Sequence, residues 1–328
     1  MFSMMLYKVP PRDTVVVWFR RDLRLADHPA LTEAIASAHR VVPLYVLDER
    51  LLANAAPARS WFLRQSMGAL DEALCERGSG LLVRTGDPTV VVPEVARAVR
   101  ADAVLASSDV TPFSRKRDSA VADALAREGR TLELREGLLL VDPEHVRTGA
   151  GRPYAVFTPF WRKLQREPRR QLLPAPTAVP TTPEHLRGSP EPTAEAPPSS
   201  DLPAPGEAGA LERLDRWIAD GLARYDSGRE ILDGSGTSRL GADLHFGTLS
   251  PLQVEAAANE LGSEAEAFTR QLAWRELYHH HLHHQATEPR GPSPLASAFR
   301  AEADDPVAVA AWREGRTGIP TVDAAMRQ

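Results

Sequence analysis

Two segments of the chain concentrate residue types that can bind or react. The first, residues 225–251, reads YDSGREILDGSGTSRLGADLHFGTLSP. Gly234 and Gly236 free the backbone to turn sharply, and Thr237 and Ser238 follow with hydroxyls and exposed N–H groups. Such a turn can hold a phosphate through short hydrogen bonds, and a plain capped helix start has the same composition. The second segment, residues 268–284, reads FTRQLAWRELYHHHLHH. On a helix, Gln271, Trp274, Arg275 and Tyr278 share one face at offsets of 3, 4 and 7. An amide, an indole, a guanidinium and a phenol can together stack on a base, read its edge and hold a backbone phosphate. The commoner use of that spacing is an aromatic stripe facing a core beside a buried ion pair.

Five of the ten histidines, His279, His280, His281, His283 and His284, crowd the end of this second segment. Their i,i+4 pairs have the spacing of a metal chelate, but the H-E-x-x-H pattern is missing. The expectation is a solvent-facing helix end that binds no metal. Cys75, the single cysteine, lies in the helical pattern ALDEALCER and reads as inert packing. One cysteine excludes an internal disulfide and suits a reducing cytosol.

The elements that must position these residues change character along the chain. Between 14 and 135, short β-branched runs (Thr14–Phe19, Arg40–Leu47, Leu81–Thr85, Ala103–Ala106, Thr131–Arg135) alternate with amphipathic stretches. Asp27, Asp87 and Thr111 stand where they can cap helices, each just before or near a proline suited to a first helical turn. Five strands alternating with four helices predict an α/β fold, a parallel Rossmann-like sheet covered on both faces. No G-x-G-x-x-G follows the first strand, which argues against an ordinary dehydrogenase. Residues 168–205 hold eleven of the 28 prolines and read as an extended connector. Just before, residues 151–175 carry six Arg or Lys against one Glu, interleaved with Tyr154, Phe157, Phe160 and Trp161. A solvated, partly packed linker is the ordinary reading, a nucleic-acid surface the sharper one. From Gly209 onward the periodicity is helical, with Leu211, Leu214, Trp217, Ile218 and Leu222 on one face. The expected organisation is an α/β domain at 13–143, a basic then proline-rich connector at 144–207, and a helical domain at 208–328.

Composition is that of an ordinary globular chain, with 43% hydrophobic and 25% charged residues. The net charge of −5 means that any nucleic-acid site would be a local basic surface. The N-terminus lacks the pattern of a secretory signal, and no run of about 18 apolar residues offers a membrane span. A cytoplasmic monomer is expected.

In combination these motifs resemble the DNA photolyase/cryptochrome family. GTSRL, FG-x-LSP, QLAWREL and WREGRTGIPTVDAAMRQ are similar to its flavin domain. WFRRDLRLADHPAL, GDP at 86–88, SSDVTPFSRKRD and VFTPFWR are similar to its N-terminal half, and all occur in family order. The resemblance implies a mostly α-helical FAD-binding domain after the sheet, here incomplete, and a cofactor held non-covalently in a folded-back shape. It places Tyr225, Thr237, Ser238, Arg239 and Leu240 along the FAD phosphates and ribitol, and Phe268 against the flavin. It makes Arg229 a DNA-phosphate contact, and Gln271 and Trp274 the pair that meets a flipped-out pyrimidine dimer, with Arg275 beside them. The implied activity is that of a class I cyclobutane-dimer photolyase: light-driven electron transfer from reduced FAD to damaged DNA. The dimer must leave the duplex, which costs less at a poorly stacked lesion. A cryptochrome-like photosensor is the alternative. An antenna chromophore, a folate or a deazaflavin, is implied for the α/β domain without a choice between them.

Three positions depart from the family pattern. Gln271 replaces a glutamate common in cyclobutane-dimer enzymes, so the lesion stays open between cyclobutane and 6-4 types. Glu302 stands where a surface tryptophan of an electron-hopping chain is often found, and His28 replaces an asparagine. VDAAMRQ reads as a helix in mid-course with no stop signal. The resemblance implies further helices, so residues 1–143 are expected to fold stably. The apolar faces of 208–328 are expected to lack partners, leaving an inactive fragment with little FAD.

Overall fold

The computed structural model describes residues 12–53, 55–180, 199, 201–231, 236–287 and 305–327. Glu302 and Gly234 lie outside the described residues.

Five parallel strands, β1 (Arg12–Phe19), β2 (Ala38–Leu47), β3 (Leu82–Thr85), β4 (Ala103–Ser107) and β5 (Thr131–Arg135), form one sheet in the order β3-β2-β1-β4-β5. Because strand side chains alternate, β1 feeds two cores. Val15, Val17 and Phe19 pack with Leu31, Phe62, Met67 and Leu74. Val16 and Trp18 pack with Val92, Val95, Val121 and Leu125 on the other face. The helices supplying these residues are α1 (Pro29–Ser37), α3 (Pro57–Cys75), α4 (Pro88–Ala98) and α5 (Pro112–Ala126), with a short α2 (Glu49–Leu52) after β2. The parallel, two-sided sheet read from the sequence is the one observed. Strand order reverses at β1 and β4, where the carboxyl ends open a crevice.

Asp87 and Thr111 cap α4 and α5 as expected, accepting the amides of Thr89 and Ser114. Asp27 does not cap α1. His28 does, its Nδ1 accepting the Leu31 amide at 3.1 Å. Asp27 takes a left-handed φ of 51° and turns its carboxylate to Arg170 and the Ser250 hydroxyl. The replacement of asparagine by histidine is thus structural: His28 is buried, caps a helix and sits 3.1 Å from Asp22. Burial opposes the charge on Asp22, but the His28 ring and the Arg20 amide hold its carboxyl well below the usual range.

The described residues fall into two compact units, one ending at His283 and one beginning at His284. In the first, the connector is not merely a solvated linker. Residues 157–164 form α6 (Phe157–Leu164), whose Phe157, Phe160, Trp161 and Leu164 are buried. The helical part follows with α7 (Gly206–Arg216), a π-helical turn at Trp217–Gly221, α8 (Tyr225–Gly228), α9 (Gly241–Phe246), α10 (Pro251–Asn259) and α11 (Glu266–Thr287). The expectation of unpartnered helical faces does not hold for residues 206–283. Leu214, Trp217, Leu222, Leu249, Val254 and Phe268 make a core of their own, and Phe246 stacks on Phe62 of α3 with ring centres 5.4 Å apart.

A buried polar joint fastens this half to the sheet. Arg24, fully buried, donates to the carbonyls of Gly247, Asp27 and Gly137 at 3.1, 2.8 and 2.9 Å. Glu207 accepts the amides of Leu25 and Ala26 at 2.7 and 2.9 Å. Both terminal nitrogens of Arg24 are satisfied, which makes such burial tolerable, although its Nε finds no partner among the described residues. In the second unit, α12 (Pro306–Arg313) and α13 (Pro320–Arg327) are joined by a turn in which Asp323 accepts the amides of Thr317 and Gly318.

Candidate functional site

Helix α11 divides the sequence-predicted residues between two clusters. Phe268 and Leu272 face the core of the helical half, whereas Ala273, Trp274 and Leu277 join α6. A helix turns about 100° per residue, so positions 268 and 274 point to different neighbours while 271 looks outward.

On the first side, Phe268, Trp217 and Tyr225 form a three-ring cluster with centre distances of 5.5 to 5.7 Å. Burial pushes the Tyr225 phenol up from its ordinary value, while Arg229, 5.8 Å over its ring, pulls the other way. Trp217 also lines a cavity of about 580 Å³ together with Thr237, Ser238, Arg239, Arg216 and Arg224. Trp217 is only 6% exposed, and its indole nitrogen finds no hydrogen-bond partner among the described residues. A buried orphan donor costs about 1–3 kcal/mol and is what a missing acceptor would leave behind. Arg239 takes a left-handed φ of 53°, a strained geometry for a non-glycine residue and a frequent mark of function. Leu240 is buried in the apolar core with Trp217 and Phe268. Arg229 is half-exposed, with Asp226 and Glu230 each 3.4 Å away.

On the second side, Gln271 and Tyr278 are exposed and Trp274 is half-buried. The Trp274 indole is parallel to the Phe157 ring, with centres 4.1 Å apart. Arg275, on the same predicted face, turns inward. It donates to Glu276 at 2.9 Å and to the Leu138 carbonyl at 3.1 Å. The predicted stripe is thus split, because two of its four members look to solvent and one braces the sheet domain.

The model described as DNA photolyase matches residues 15–181, and that described as the FAD binding domain of DNA photolyase matches residues 268–328. The chain belongs to the DNA photolyase family. It is 40% identical over 321 residues to a deoxyribodipyrimidine photo-lyase of Thermus thermophilus, an alignment covering 96% of this chain and 71% of that protein. A class III photolyase structure from Agrobacterium tumefaciens matches with a TM-score of 0.84 at 31% identity, covering 99% of this chain and 70% of that one. A Synechocystis cryptochrome structure matches with a TM-score of 0.81 at 26% identity, over 97% of this chain and 71% of that one.

Within the photolyase-family fold, sequence reasoning missed two features. Trp217 was read only as one apolar position on a helical face, and its spacing gave no sign of an orphan N–H. The other is a cavity of about 270 Å³ at the carboxyl ends of the sheet, where Arg20 and Arg117 lie 4.6 and 4.9 Å over the Trp18 ring. Tyr45, Phe113 and Phe246 add aromatic wall.

The histidine cluster is not solvent-facing. His280 is buried edge-on to Phe160, His281 meets the Tyr154 carbonyl at 3.0 Å, and His283 meets Glu144 at 2.7 Å. Apolar residues of α6 draw that face of α11 inward. Burial, reinforced by Arg275, holds His279 down to about 4, and burial with Arg21 does the same to His245. Both are neutral at pH 7. Cys75 is exposed rather than packed. No helix among the described residues is long and apolar enough to cross a membrane.

Proposed function

We propose that this chain serves light-dependent repair of pyrimidine dimers in DNA, with FAD as its cofactor. The observation that carries the reading is the division of labour on α11. One helix contributes Phe268 to the aromatic cluster beside the 580 Å³ cavity and, within the next two turns, carries the exposed Gln271 and the half-buried Trp274. The cavity residues fit such a cofactor chemically. Thr237 and Ser238 offer hydroxyls, Arg224 and Arg239 offer positive charge, and the orphan Trp217 N–H offers a buried donor, while Arg216 is paired with Glu212 at 2.6 Å on the same wall. When bound, the flavin supplies the light-driven electron.

The chain's own residues bind and orient the lesion. A base taken out of the stack can lie on Trp274, whose plane is set before DNA arrives. Gln271, exposed one turn earlier, can hydrogen-bond a thymine edge through its amide. Arg229, half-exposed over the Tyr225 ring, contributes a phosphate contact. Arg275 holds α11 against the sheet domain and so acts on DNA through position rather than contact. In the α/β half, the 270 Å³ cavity with its arginine-covered Trp18 is the place for an antenna chromophore.

The test is irradiation of the flavin-loaded chain with dimer-containing DNA in near-ultraviolet or blue light, scoring dimers against a dark control. Light-dependent loss of dimers is the expected result. Photochemistry of the flavin with no loss of dimers would overturn repair and favour a photosensor.

A further inference from the structure

Trp274 does not hold its plane alone. Phe157, the first residue of α6, lies 4.1 Å from it with the rings 5° from parallel. Trp161, one turn on, continues the parallel rank at 6.5 Å and 6° from Phe157. Arg270, one turn before Trp274 on α11, places its guanidinium 5.3 Å from the centre of the Phe157 ring. The nearest carboxylate paired with Arg270 is that of Glu266 at 3.9 Å, too long for a hydrogen bond. The Arg270 side chain is 41% exposed, whereas Phe157 is 6% exposed. A buried phenyl ring therefore touches the indole on one side of the site and supports a part-exposed cation next to it, paired only at 3.9 Å with Glu266.

We propose that Phe157 and Arg270 belong to the lesion-binding surface. Phe157 is a positioning residue that fixes the plane of Trp274, and Arg270 meets the DNA phosphate beside the base that stacks there. The inference rests on the repair reading above and extends it to two residues and to the helix of the connector. A ring locked by a parallel neighbour loses little freedom when a base lands on it, so less of the stacking energy is spent on ordering. A guanidinium resting on an aromatic face keeps its N–H edges for a phosphate, which is a common use of arginine. Arg162 stands exposed on the same short helix and Arg166 in the turn that follows it. Of the basic stretch at 151–175, Lys163, Arg169 and Arg170 are paired with Glu167, Glu255 and Asp27, while Arg152, Arg162 and Arg166 stand exposed on a chain of net charge −5.

The experiment measures binding of the full chain to duplexes with and without a thymine dimer, across a salt series. Phe157→Leu, Phe157→Tyr and Arg270→Gln are compared with wild type. Phe157→Leu should weaken binding to the damaged duplex by about fivefold to a hundredfold, the worth of a base–aromatic stack, and leave the undamaged duplex within about twofold. Phe157→Tyr, which keeps a parallel ring, should retain the preference for damage. Arg270→Gln should weaken both duplexes alike and reduce the slope of log affinity against log salt by about 1.

Unchanged damage preference in a folded Phe157→Leu, or an unchanged salt slope in Arg270→Gln, overturns the corresponding half of the inference. If Phe157→Leu melts early, loss of preference in Phe157→Tyr overturns the positioning role, and its retention supports it. A wild-type chain with no preference for damaged DNA overturns the repair reading itself and this inference with it.

Discussion

The carboxylate of Glu276 accepts the backbone amide of Leu140, 136 residues earlier in the chain, at 2.8 Å, and no part of Glu276 reaches solvent. Arg275 beside it donates to its other oxygen at 2.9 Å. Burial nevertheless dominates, and pushes the Glu276 carboxyl up to about 7 against the pull of Arg275 and the Leu140 amide.

A pH dependence of stability follows. A carboxyl that holds its proton more tightly folded than unfolded stabilises fully below its unfolded pKa of about 4.3. That contribution fades as pH rises through about 7. His245 and His279, held down to about 4, act in the opposite sense and cost stability as pH falls from about 6.5 towards 4. The two effects overlap, so the difference between proteins carries the test. Melting temperature should fall more steeply between about pH 5 and 8 in wild type than in Glu276→Gln. Equal slopes in calorimetry would mean that Glu276 does not titrate there.

The joint between sheet and helices depends on one backbone position. Gly247 has a left-handed φ of 72°, and a Cβ there would collide with the Arg21 carbonyl. Gly247→Ala should cost more than about 2 kcal/mol, since strain and a backbone clash act together. Gly262→Ala, with φ 59° and nothing within 4 Å of the new methyl, should cost only about 1–2 kcal/mol. Urea midpoints measure both, and similar losses would show that the clash is relieved by movement.

Flavin binding separates ligand residues from packing residues. Thr237→Ala with Ser238→Ala should lower the flavin content of the purified chain sharply, read by absorbance. Trp217→Phe removes the orphan N–H and keeps a ring. It should lower flavin affinity by about 1–3 kcal/mol, while the flavin-free protein melts no earlier than wild type. Unchanged flavin content in all variants would place the cofactor elsewhere.

Trp274→Ala should weaken binding to dimer-containing DNA by about 1–3 kcal/mol. Undamaged duplex, held through phosphates, should be nearly unaffected. Equal losses on the two duplexes, measured by fluorescence anisotropy, would show that Trp274 serves only the packing with Phe157.

What the sequence determined by itself is what local spacing encodes. Short β-branched runs set the strands, all-apolar ones such as Val15–Phe19 call for cover on both faces, and their alternation with helical stretches makes the sheet parallel. Asp87-Pro88 and Thr111-Pro112 start helices because a cap and a fixed φ act within one turn. Family motifs in order identify the family, and the resemblance points to α11 and the Thr237–Leu240 turn as the segments to test for flavin and DNA contacts. Tertiary structure alone decided how those residues divide. Arg275 and Tyr278 share a helical face with Trp274, yet Leu138 and Glu276 draw Arg275 inward while Tyr278 stays exposed. Asp27 has the type and place of a cap, yet Arg170 and Ser250 claim its carboxylate across more than 140 residues of chain. The stack of Phe157 on Trp274 joins segments 117 residues apart (274 less 157). Periodicity reports which side of an element is apolar, because that depends on neighbours within a turn or two. Which distant side chain arrives there depends on the path of the whole chain, and no spacing along the sequence carries that information.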